Sequence, residues 1–360
     1  MVYLDNHSET FVCGSAREQF AAALDGTSTA VLASASAKIF DLVGAHATDS
    51  FVFTSSGAEA IQQVHWTAFI ELARKEGKCH IITSSSEDAA MLQSLKRLEE
   101  LGCFIKIAPL DAEGRVDLEQ LKKLIGPRTA MISMSWAQGL TGVIHPVEEI
   151  GAIAQEKGIL FHVDATYTLG KVYCSFADLP MDYLTFSGDR IHSVKSSGAI
   201  FAKKGKPLAP FILARPIDAS SLMALAAAAS QLALSQDLMS LEVARLRDVF
   251  EEQLAASIPE VQFLYQNSLR LPNVCCALFP RVHSEALLYM LERKNVKASI
   301  GGAFSPYLYR LLTHLDNICA QTALSFSLSR YTTQSDIEKA VQCIVECYQT
   351  LRPLTEDLTL

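Results

Sequence analysis

Between about residue 50 and residue 205, short apolar runs alternate with stretches whose apolar residues recur at helical spacing. The run "SFVFTSS" reads as a strand, and "GAEAIQQVHWTAFIELARKEG" after it reads as a helix that ends at a glycine. The same alternation continues through "CHIITSS", "TAMISMSW", "ILFHVDAT", "YLTFSG" and "GAIFAKKG". Continuous apolar strands separated by helices are typical of a mostly parallel sheet covered on both faces. Such sheets bind ligands at the carboxyl ends of their strands.

The last third of the chain predicts a second, smaller α/β domain. A long amphipathic helix over 236–257 precedes "NVCCALFP", "HSEALLYMLERKNV" and "DIEKAVQCIVECYQTL", which alternate between strand and helix patterns. We expect a large domain over 13–245 and a small domain formed by 1–12 and 246–360. The most apolar tract, "LMALAAAASQLAL", is too short and too polar to span a bilayer, so it predicts a buried helix.

Composition narrows the classes of partner. The 360 residues are 49% hydrophobic and 19% charged, with a formal net charge of -8, which gives no electrostatic footprint for nucleic acid or an anionic membrane. The start, "MVYLDNHSET", lacks the basic and apolar parts of a signal peptide. Nine scattered cysteines without a CxxC pair indicate reduced, mostly buried thiols rather than a disulfide scaffold or a zinc site. We therefore expect a cytoplasmic protein with no metal.

Several segments at the predicted strand ends resemble a known family. They are "YLDN" (3–6), "FTSSGAEA" (53–60), "HIITSSSEDAAML" (80–92), "FHVDATYTLGKV" (161–172), "LTFSGDRIHSVKSSGAIFAKKG" (184–205) and "SFSLSRYTT" (325–333). In this order they resemble the NifS-type cysteine desulfurases, class V aminotransferases of pyridoxal 5'-phosphate (PLP) fold type I. The resemblance implies a PLP-dependent transferase fold type I, with a mostly parallel large domain and a smaller α/β domain, and a homodimer.

The resemblance fails at the residue that carries the cofactor. In the family, the turn after the "FS" strand ends in a lysine that forms a Schiff base with PLP, and here that position is Arg190. A guanidinium with a pKa above about 12 is no nucleophilic amine, so Arg190 cannot form that bond. Lys195 aligns with a second, non-catalytic lysine of the family. Two roles stay open for Arg190, an ion pair with a nearby acid or the capture of an anion.

The positions around the cofactor ring are also changed. Asp164 matches the aspartate that pairs with the pyridinium nitrogen, although backbone donors could equally satisfy a buried aspartate at a strand end. The family's glutamine three residues later is Tyr167, and its ring-stacking histidine falls on Asp88. Its nearby asparagine falls near Gln138-Gly139. The ring site is therefore only partly kept.

The phosphate and substrate positions are mixed. The backbone of Gly57 and Ala58 at a helix start can still donate N–H groups to an anion, and Ser187 keeps its hydroxyl, but Ala58 lacks the family's threonine hydroxyl. The family segment that lends a threonine to the phosphate aligns loosely with "RPID" (215–218), where Asp218 would repel a phosphate. By the same resemblance, Arg330 matches the arginine that clamps the substrate carboxylate.

The sulfur-accepting cysteine of the family has no counterpart at its place. Phe304 stands there, in a loop several residues shorter than the family's. Cys319 is the nearest thiol, and free cysteines are most often inert core residues.

We interpret the chain as a desulfurase-like pseudoenzyme with weak or absent PLP binding. It would act by binding a protein partner, such as a sulfur-transfer or Fe–S assembly protein. The alternative is an active PLP enzyme of altered mechanism that acts on an amino acid and holds the cofactor non-covalently; a third reading, a misaligned ordinary desulfurase, needs a lysine near 190 and a mobile cysteine near 300. For Arg190 we expect a salt bridge with Asp164, Asp88 or Asp189, the first two above all.

Overall fold

The computed structural model describes residues 1–213, 217–302, 308–312, 315 and 317–354. The chain forms two compact units. The larger unit comprises Thr10–Trp136 and His145–Leu234, and the smaller one comprises Met1–Glu9, Ala137–Ile144 and Ser235–Leu360.

Strands and helices alternate along most of the chain. The strands are β1 (Val2–Tyr3), β2 (Ser50–Thr54), β3 (His80–Ser84), β4 (Phe104–Ala108), β5 (Thr129–Ser135), β6 (Leu160–Asp164), β7 (Tyr183–Ser187), β8 (Gly198–Ala202), β9 (Gln262–Phe263), β10 (Val274–Leu278), β11 (Val296–Lys297) and β12 (Ala323–Ser327). The α-helices are α1 (Gly14–Ala22), α2 (Thr29–Val43), α3 (Gly57–Ala68), α4 (Arg74–Glu76), α5 (Ala89–Glu100), α6 (Leu118–Leu124), α7 (Val147–Lys157), α8 (Ala219–Ala233), α9 (Ala244–Ser257), α10 (Ser284–Arg293), α11 (Leu308–Leu312), α12 (Asn317–Thr322) and α13 (Gln334–Leu351). None of these described helices is long and apolar enough to cross a membrane.

The larger unit is built on a seven-stranded sheet in the order β2-β8-β7-β6-β5-β3-β4. Strands β4, β3, β5, β6 and β7 run parallel, while β8 is antiparallel to both β7 and β2. The predicted mostly parallel sheet is therefore confirmed. Because parallel strands end at the same edge, the polar residues that follow β3, β5, β6 and β7 lie along one rim.

Local sequence signals set the ends of the helices. The predicted helix from Gly57 does end at Gly77, which is left-handed at φ 71°, but a π-helical turn over Phe69–Ala73 interrupts it. Helix α7 begins after Pro146 and ends at a left-handed Gly158, as the pattern predicts. Asp117 caps α6 by accepting from the backbone N–H groups of its first turn. The alanine-rich tract forms α8, most of which is buried, as expected.

The smaller unit combines a three-stranded antiparallel sheet, β12-β10-β9, with the parallel pair β1-β11. Its main core contains apolar residues of α9, α10 and α13 together with one face of the sheet, and the other face packs in a second apolar cluster. Phe250 and Phe326 meet edge to face there, with ring centroids 5.0 Å apart. Cys275 and Cys276 are both buried, because one packs in this core and the other in a neighbouring apolar cluster.

Candidate functional site

Asp164, the last residue of β6, lies buried at the rim of the large sheet. Its Oδ1 accepts hydrogen bonds from the hydroxyls of Thr185, at 2.8 Å, and Thr166, at 3.0 Å. No described residue donates a hydrogen bond to Oδ2. Burial raises the pKa of Asp164 to about 7, against the lowering effect of the two hydroxyls. The side chain thus sits between its charged and neutral forms near neutral pH.

A second buried acid, Glu87, follows β3, which lies two strands from β6 in the sheet, and it contributes to that shift. It accepts hydrogen bonds from the hydroxyl of Ser84, at 2.6 Å, and from the backbone N–H and hydroxyl of Ser135. Burial raises the pKa of Glu87 to about 7 despite these donors. Two acids that share this pKa range so close together make the rim sensitive to pH.

Asp88 precedes α5 and bonds to Tyr167, which follows β6. The Tyr167 hydroxyl donates to Oδ2 of Asp88 at 2.5 Å, while no described residue donates a hydrogen bond to the buried Oδ1. Burial raises the pKa of Asp88 to about 6, and the Tyr167 hydrogen bond and the charge of Arg190 oppose the rise. Asp88, Tyr167 and Arg190 therefore form one cluster.

Arg190 forms its salt bridge with its neighbour in sequence, Asp189. The Nη1–Oδ2 distance is 2.5 Å, and the arginine side chain is only 11% exposed. The sequence analysis named three acids as possible partners and favoured Asp164 and Asp88. That preference is wrong, because the partner is the third acid, Asp189. Both residues lie in one short 3-10 turn, Gly188–Arg190, so the nearest carboxylate is a neighbour in sequence. Burial disfavours the guanidinium charge, but Tyr167, Asp189 and Asp88 raise the pKa of Arg190 overall.

The turn that carries Arg190 is fixed by close packing and by the segment before α1. The hydroxyl of Thr10 donates to the Asp189 carbonyl at 2.8 Å and accepts from the N–H of His192. A Cβ on Gly188 would lie 2.1 Å from the hydroxyl of Ser197, so the position requires glycine. Lys195, further along the turn, is exposed.

The start of α3 packs tightly against the end of β7. A Cβ on Gly57 would lie 2.7 Å from Cβ of Ser187. The Ser187 hydroxyl donates to Oδ1 of Asp189 at 2.6 Å, so it is already engaged. Ala58, the next residue of α3, leaves its backbone N–H in the first turn, where helices offer donors to anions.

Lys171 is a candidate that the sequence reasoning missed. It follows Tyr167 in the loop after β6, and its charge interacts with that of Arg190. Burial and this like charge lower the pKa of Lys171 to about 7, so that much of its amine is neutral near pH 7. No described residue forms a hydrogen bond or ion pair with its amine. The only available signal was its place, seven residues after Asp164 in the same loop.

Comparisons with known proteins place the chain in a family. The class-V aminotransferase family matches residues 15–214. A cysteine desulfurase of Cereibacter sphaeroides is 31% identical, covering 98% of this chain and 97% of that protein. A solved NifS-like protein superposes with a TM-score of 0.89 at 25% identity, covering 97% of this chain and 100% of that one. A NifS-like protein from Rickettsia africae has the same fold, with a TM-score of 0.84 at 23% identity over 97% and 99% of the two chains.

The chain belongs to the class-V aminotransferases, in the NifS-like cysteine desulfurase family. The expected fold type I is confirmed with it. This family uses PLP, so the residues of the rim can be tested against that cofactor. The open Oδ2 of Asp164 fits a protonated ring nitrogen. Arg190 offers no amine for covalent attachment, and the Asp88 carboxylate offers no face for ring stacking. The residues therefore do not fit PLP held as the family holds it.

Two buried polar atoms at the rim have no hydrogen-bond partner among the described residues, Oδ1 of Asp88 and Nε of Arg190. One is an acceptor and the other a donor, and such atoms normally find a partner in protein, water or ligand. The cluster of Asp88, Tyr167 and Arg190 therefore leaves one acceptor and one donor available at the rim.

Two further positions of the resemblance, Arg330 and Gln138, lie in the smaller unit. Arg330 donates from Nη1 to the Ser235 hydroxyl at 3.1 Å and stacks over Tyr331. Within the described part of the chain, its buried Nε and Nη2 have no hydrogen-bond partner. Nε and Nη2 form the edge of a guanidinium that binds a carboxylate with two hydrogen bonds. Gln138 uses its side-chain oxygen in its own turn, at 2.6 Å from the N–H of Leu140.

Three further residues stand at or near positions that the family uses for sulfur and phosphate. Phe304 lies outside the described residues. Cys319, in α12, is partly buried beside an apolar cluster. Asp218 caps α8 by accepting from the N–H of Ser221, so its carboxylate is engaged in the helix start.

Proposed function

We propose that this protein is a cysteine desulfurase-like pseudoenzyme that has kept the fold and lost the chemistry. The observation that carries the proposal is Arg190, which takes the lysine position of the family and is bound to Asp189 at 2.5 Å. A guanidinium has no lone pair available for attack on an aldehyde, whereas the family's reaction begins with an amine at this residue.

The second support is that the replaced positions contact one another. Tyr167, at the glutamine position, donates to Asp88, at the stacking-histidine position, and both attract Arg190. The three replacements thus stabilise each other in the absence of a cofactor.

We propose that the protein acts by binding a partner in sulfur or Fe–S metabolism and forms a homodimer. The support is the family, whose relatives include the NifS cysteine desulfurase of Azotobacter vinelandii, 29% identical over 86% of this chain. Light scattering gives the oligomeric state, and calorimetric titration with an active cysteine desulfurase tests the partner. A monomer without heat of binding would contradict this part.

Addition of PLP tests the loss of chemistry. We expect no visible absorbance of a covalent PLP–lysine adduct, and no labelled peptide after borohydride reduction, because Arg190 cannot attach the cofactor. A reduced adduct on Lys171 or Lys195 would contradict the proposal. Peptide mapping separates these sites, and an adduct spread over exposed lysines counts as non-specific.

The second candidate is a PLP-binding enzyme of altered mechanism that acts on an amino acid. Two observations favour it: Oδ2 of Asp164, to which no described residue donates a hydrogen bond, and the amine of Lys171, whose pKa is lowered by burial to about 7. They offer partners for a ring nitrogen and for an aldehyde. An adduct found at Lys171 alone, lost in Lys171→Met and kept in Lys195→Met, would favour this enzyme over the pseudoenzyme.

A further inference from the structure

A chain of hydrogen bonds runs from Asp164 through the interior of the larger unit. The links are Thr185 Oγ1 to Asp164 Oδ1 (2.8 Å), Thr185 Oγ1 to His162 Nε2 (2.9 Å), His162 Nδ1 to Ser133 Oγ (2.8 Å), Ser133 Oγ to His65 Nε2 (2.8 Å) and His65 Nδ1 to Ser94 Oγ (2.7 Å). Every member is at most 6% exposed. The chain crosses from β7 and β6 through β5 to α3 and α5 without a gap.

The chain has one consistent direction when Asp164 is ionised. A carboxylate can only accept, so Thr185 donates to it and must itself accept from Nε2–H of His162. Nδ1 of His162 then carries no proton and accepts from Ser133, which in turn accepts from Nε2–H of His65. Nδ1 of His65 accepts from the hydroxyl of Ser94, so both histidines carry their proton on Nε2. Both rings are neutral, because burial lowers the pKa of His65 to about 3 and that of His162 well below its usual value.

The outer end of the chain lies at a cavity. Ser94 and His65 both line a cavity of about 740 Å³ between α3 and α5. Its other lining residues include Gln62, Trp66 and Lys96, so water and titratable groups can reach it. The π-helical turn that interrupts the helix after α3 begins at Phe69, on the wall of the same cavity.

Few other groups face the chain. Ser133 also lies 3.2 Å from the sulfur of Met91, a weak acceptor that competes poorly with a ring nitrogen. The acids Glu87 and Asp88 act on the charge of Asp164, and the two histidines act on each other. Protons therefore enter or leave the chain at its two ends, at Asp164 and at the cavity.

We propose that this chain conducts protons between Asp164 and the cavity beside α5, and so gives the aspartate a route to solvent separate from the ligand side. In one passage, water gives a proton to Ser94, whose own proton moves to His65 Nδ1. The Nε2 proton of His65 passes to Ser133, whose proton moves to His162 Nδ1. The Nε2 proton of His162 passes to Thr185, whose proton moves to Asp164. One proton enters, Asp164 becomes neutral, and no intermediate member keeps a charge.

The passage leaves a signature. Each proton delivered through the chain converts both histidines from the Nε2–H to the Nδ1–H tautomer. A proton that reaches Asp164 directly from the rim leaves both tautomers unchanged unless protons then move along the chain, so a change of both tautomers reports proton movement through it. This inference goes beyond the proposed function, because it applies whether or not a ligand is bound at the rim.

Nitrogen-15 NMR of the histidine-labelled full-length protein tests it. Above the titration of Asp164 we expect Nε2–H at His65 and His162, and below it Nδ1–H at both, with neither ring becoming charged. Glu87 has a pKa in the same range and could also cause a change near this pH. Asp164→Asn should abolish the tautomer switch, which would show that Asp164 causes it. Unchanged tautomers across the titration would overturn the proposal.

Two variants separate conduction from a structural role. Ser133→Ala breaks the middle of the chain without touching the hydrogen bonds of Asp164, and His162 should then keep Nε2–H at all pH values. Thr185→Val breaks the inner end and serves if Ser133→Ala does not fold. Thr83→Val is the matched control, since Thr83 is a fully buried threonine on β3 whose hydroxyl forms no hydrogen bond with any described residue. A switch that survives either break, or is lost in the control, would contradict conduction.

Discussion

The hydroxyl of Tyr167 lies 2.5 Å from Oδ2 of Asp88 and donates a hydrogen bond to it. By the family resemblance, these residues occupy the positions of a glutamine and a ring-stacking histidine that both face the cofactor. In this chain they face each other instead. Through this hydrogen bond, each of the two residues provides a polar partner for the other.

Arg190 extends this pair into a charged cluster. Its guanidinium is held by Asp189 and attracted by Tyr167 and Asp88. A buried carboxylate that loses its cation is left uncompensated, which is costly in the protein interior. We therefore expect the stability of the rim to depend on Arg190, which by the resemblance stands at the position of the family's lysine.

Arg190→Ala should lower the free energy of unfolding by about 3 kcal/mol, because it leaves Asp189 and Asp88 without their cation. Urea unfolding measures the change. The matched control is Arg97→Ala, which removes a solvent-exposed ion pair with Glu100 and should cost at most about 1 kcal/mol. Equal losses in the two variants would show that Arg190 is not a structural cation.

Arg190→Lys restores the amine but not the sulfur acceptor. We expect it to gain covalent PLP attachment, seen as absorbance and a borohydride-stable adduct at residue 190, and still to release no sulfide from L-cysteine. Arg190→Gln, without an amine, is the control for attachment. Sulfide released by Arg190→Lys would show that another residue accepts the sulfur.

The buried acids and histidines make opposing contributions to stability against pH. Burial raises the pKa of Glu87, Asp88 and Asp164, so the folded state binds more protons than the unfolded state, and their contribution falls as pH rises towards about 7. Burial lowers the pKa of His65, His145 and His162, so their contribution rises with pH up to about 6.5. Between about pH 5 and 6.5 the two groups nearly offset each other.

Glu87→Gln should remove one acid from this balance. Its free energy of unfolding should rise with pH by about 1.4 kcal/mol per pH unit relative to the parent between about pH 5 and 6.5. Urea titrations at several pH values measure the slope, which is independent of any constant loss of stability. The exposed Glu100→Gln is the control and should leave the slope unchanged. Parallel profiles for Glu87→Gln and the parent would show that Glu87 is charged when folded.

Much of the fold was predictable, because periodicity and capping act locally. The apolar runs gave β3, β5 and β6, and Gly77, Pro146 and Gly158 marked helix ends. The π-helical turn at Phe69–Ala73 was not predictable, since its sequence has an ordinary helical pattern.

The site was harder to predict, because its contacts join residues far apart in the chain. Asp164 was identifiable from its place at a strand end. The partner of Arg190 was not, because a tight turn brings Asp189 nearer than the acids across the rim. Lys171 and the buried histidines carry no local motif, and only their surroundings in the fold distinguish them.

The central claim is that this NifS-like chain no longer removes sulfur from cysteine. The most direct measurement is sulfide release from L-cysteine by the purified protein with PLP and a thiol reductant, beside an active cysteine desulfurase under the same conditions. The account predicts no sulfide above the level seen with free PLP alone. Sulfide release that depends on the protein and disappears in Cys319→Ser or Lys171→Met would contradict it.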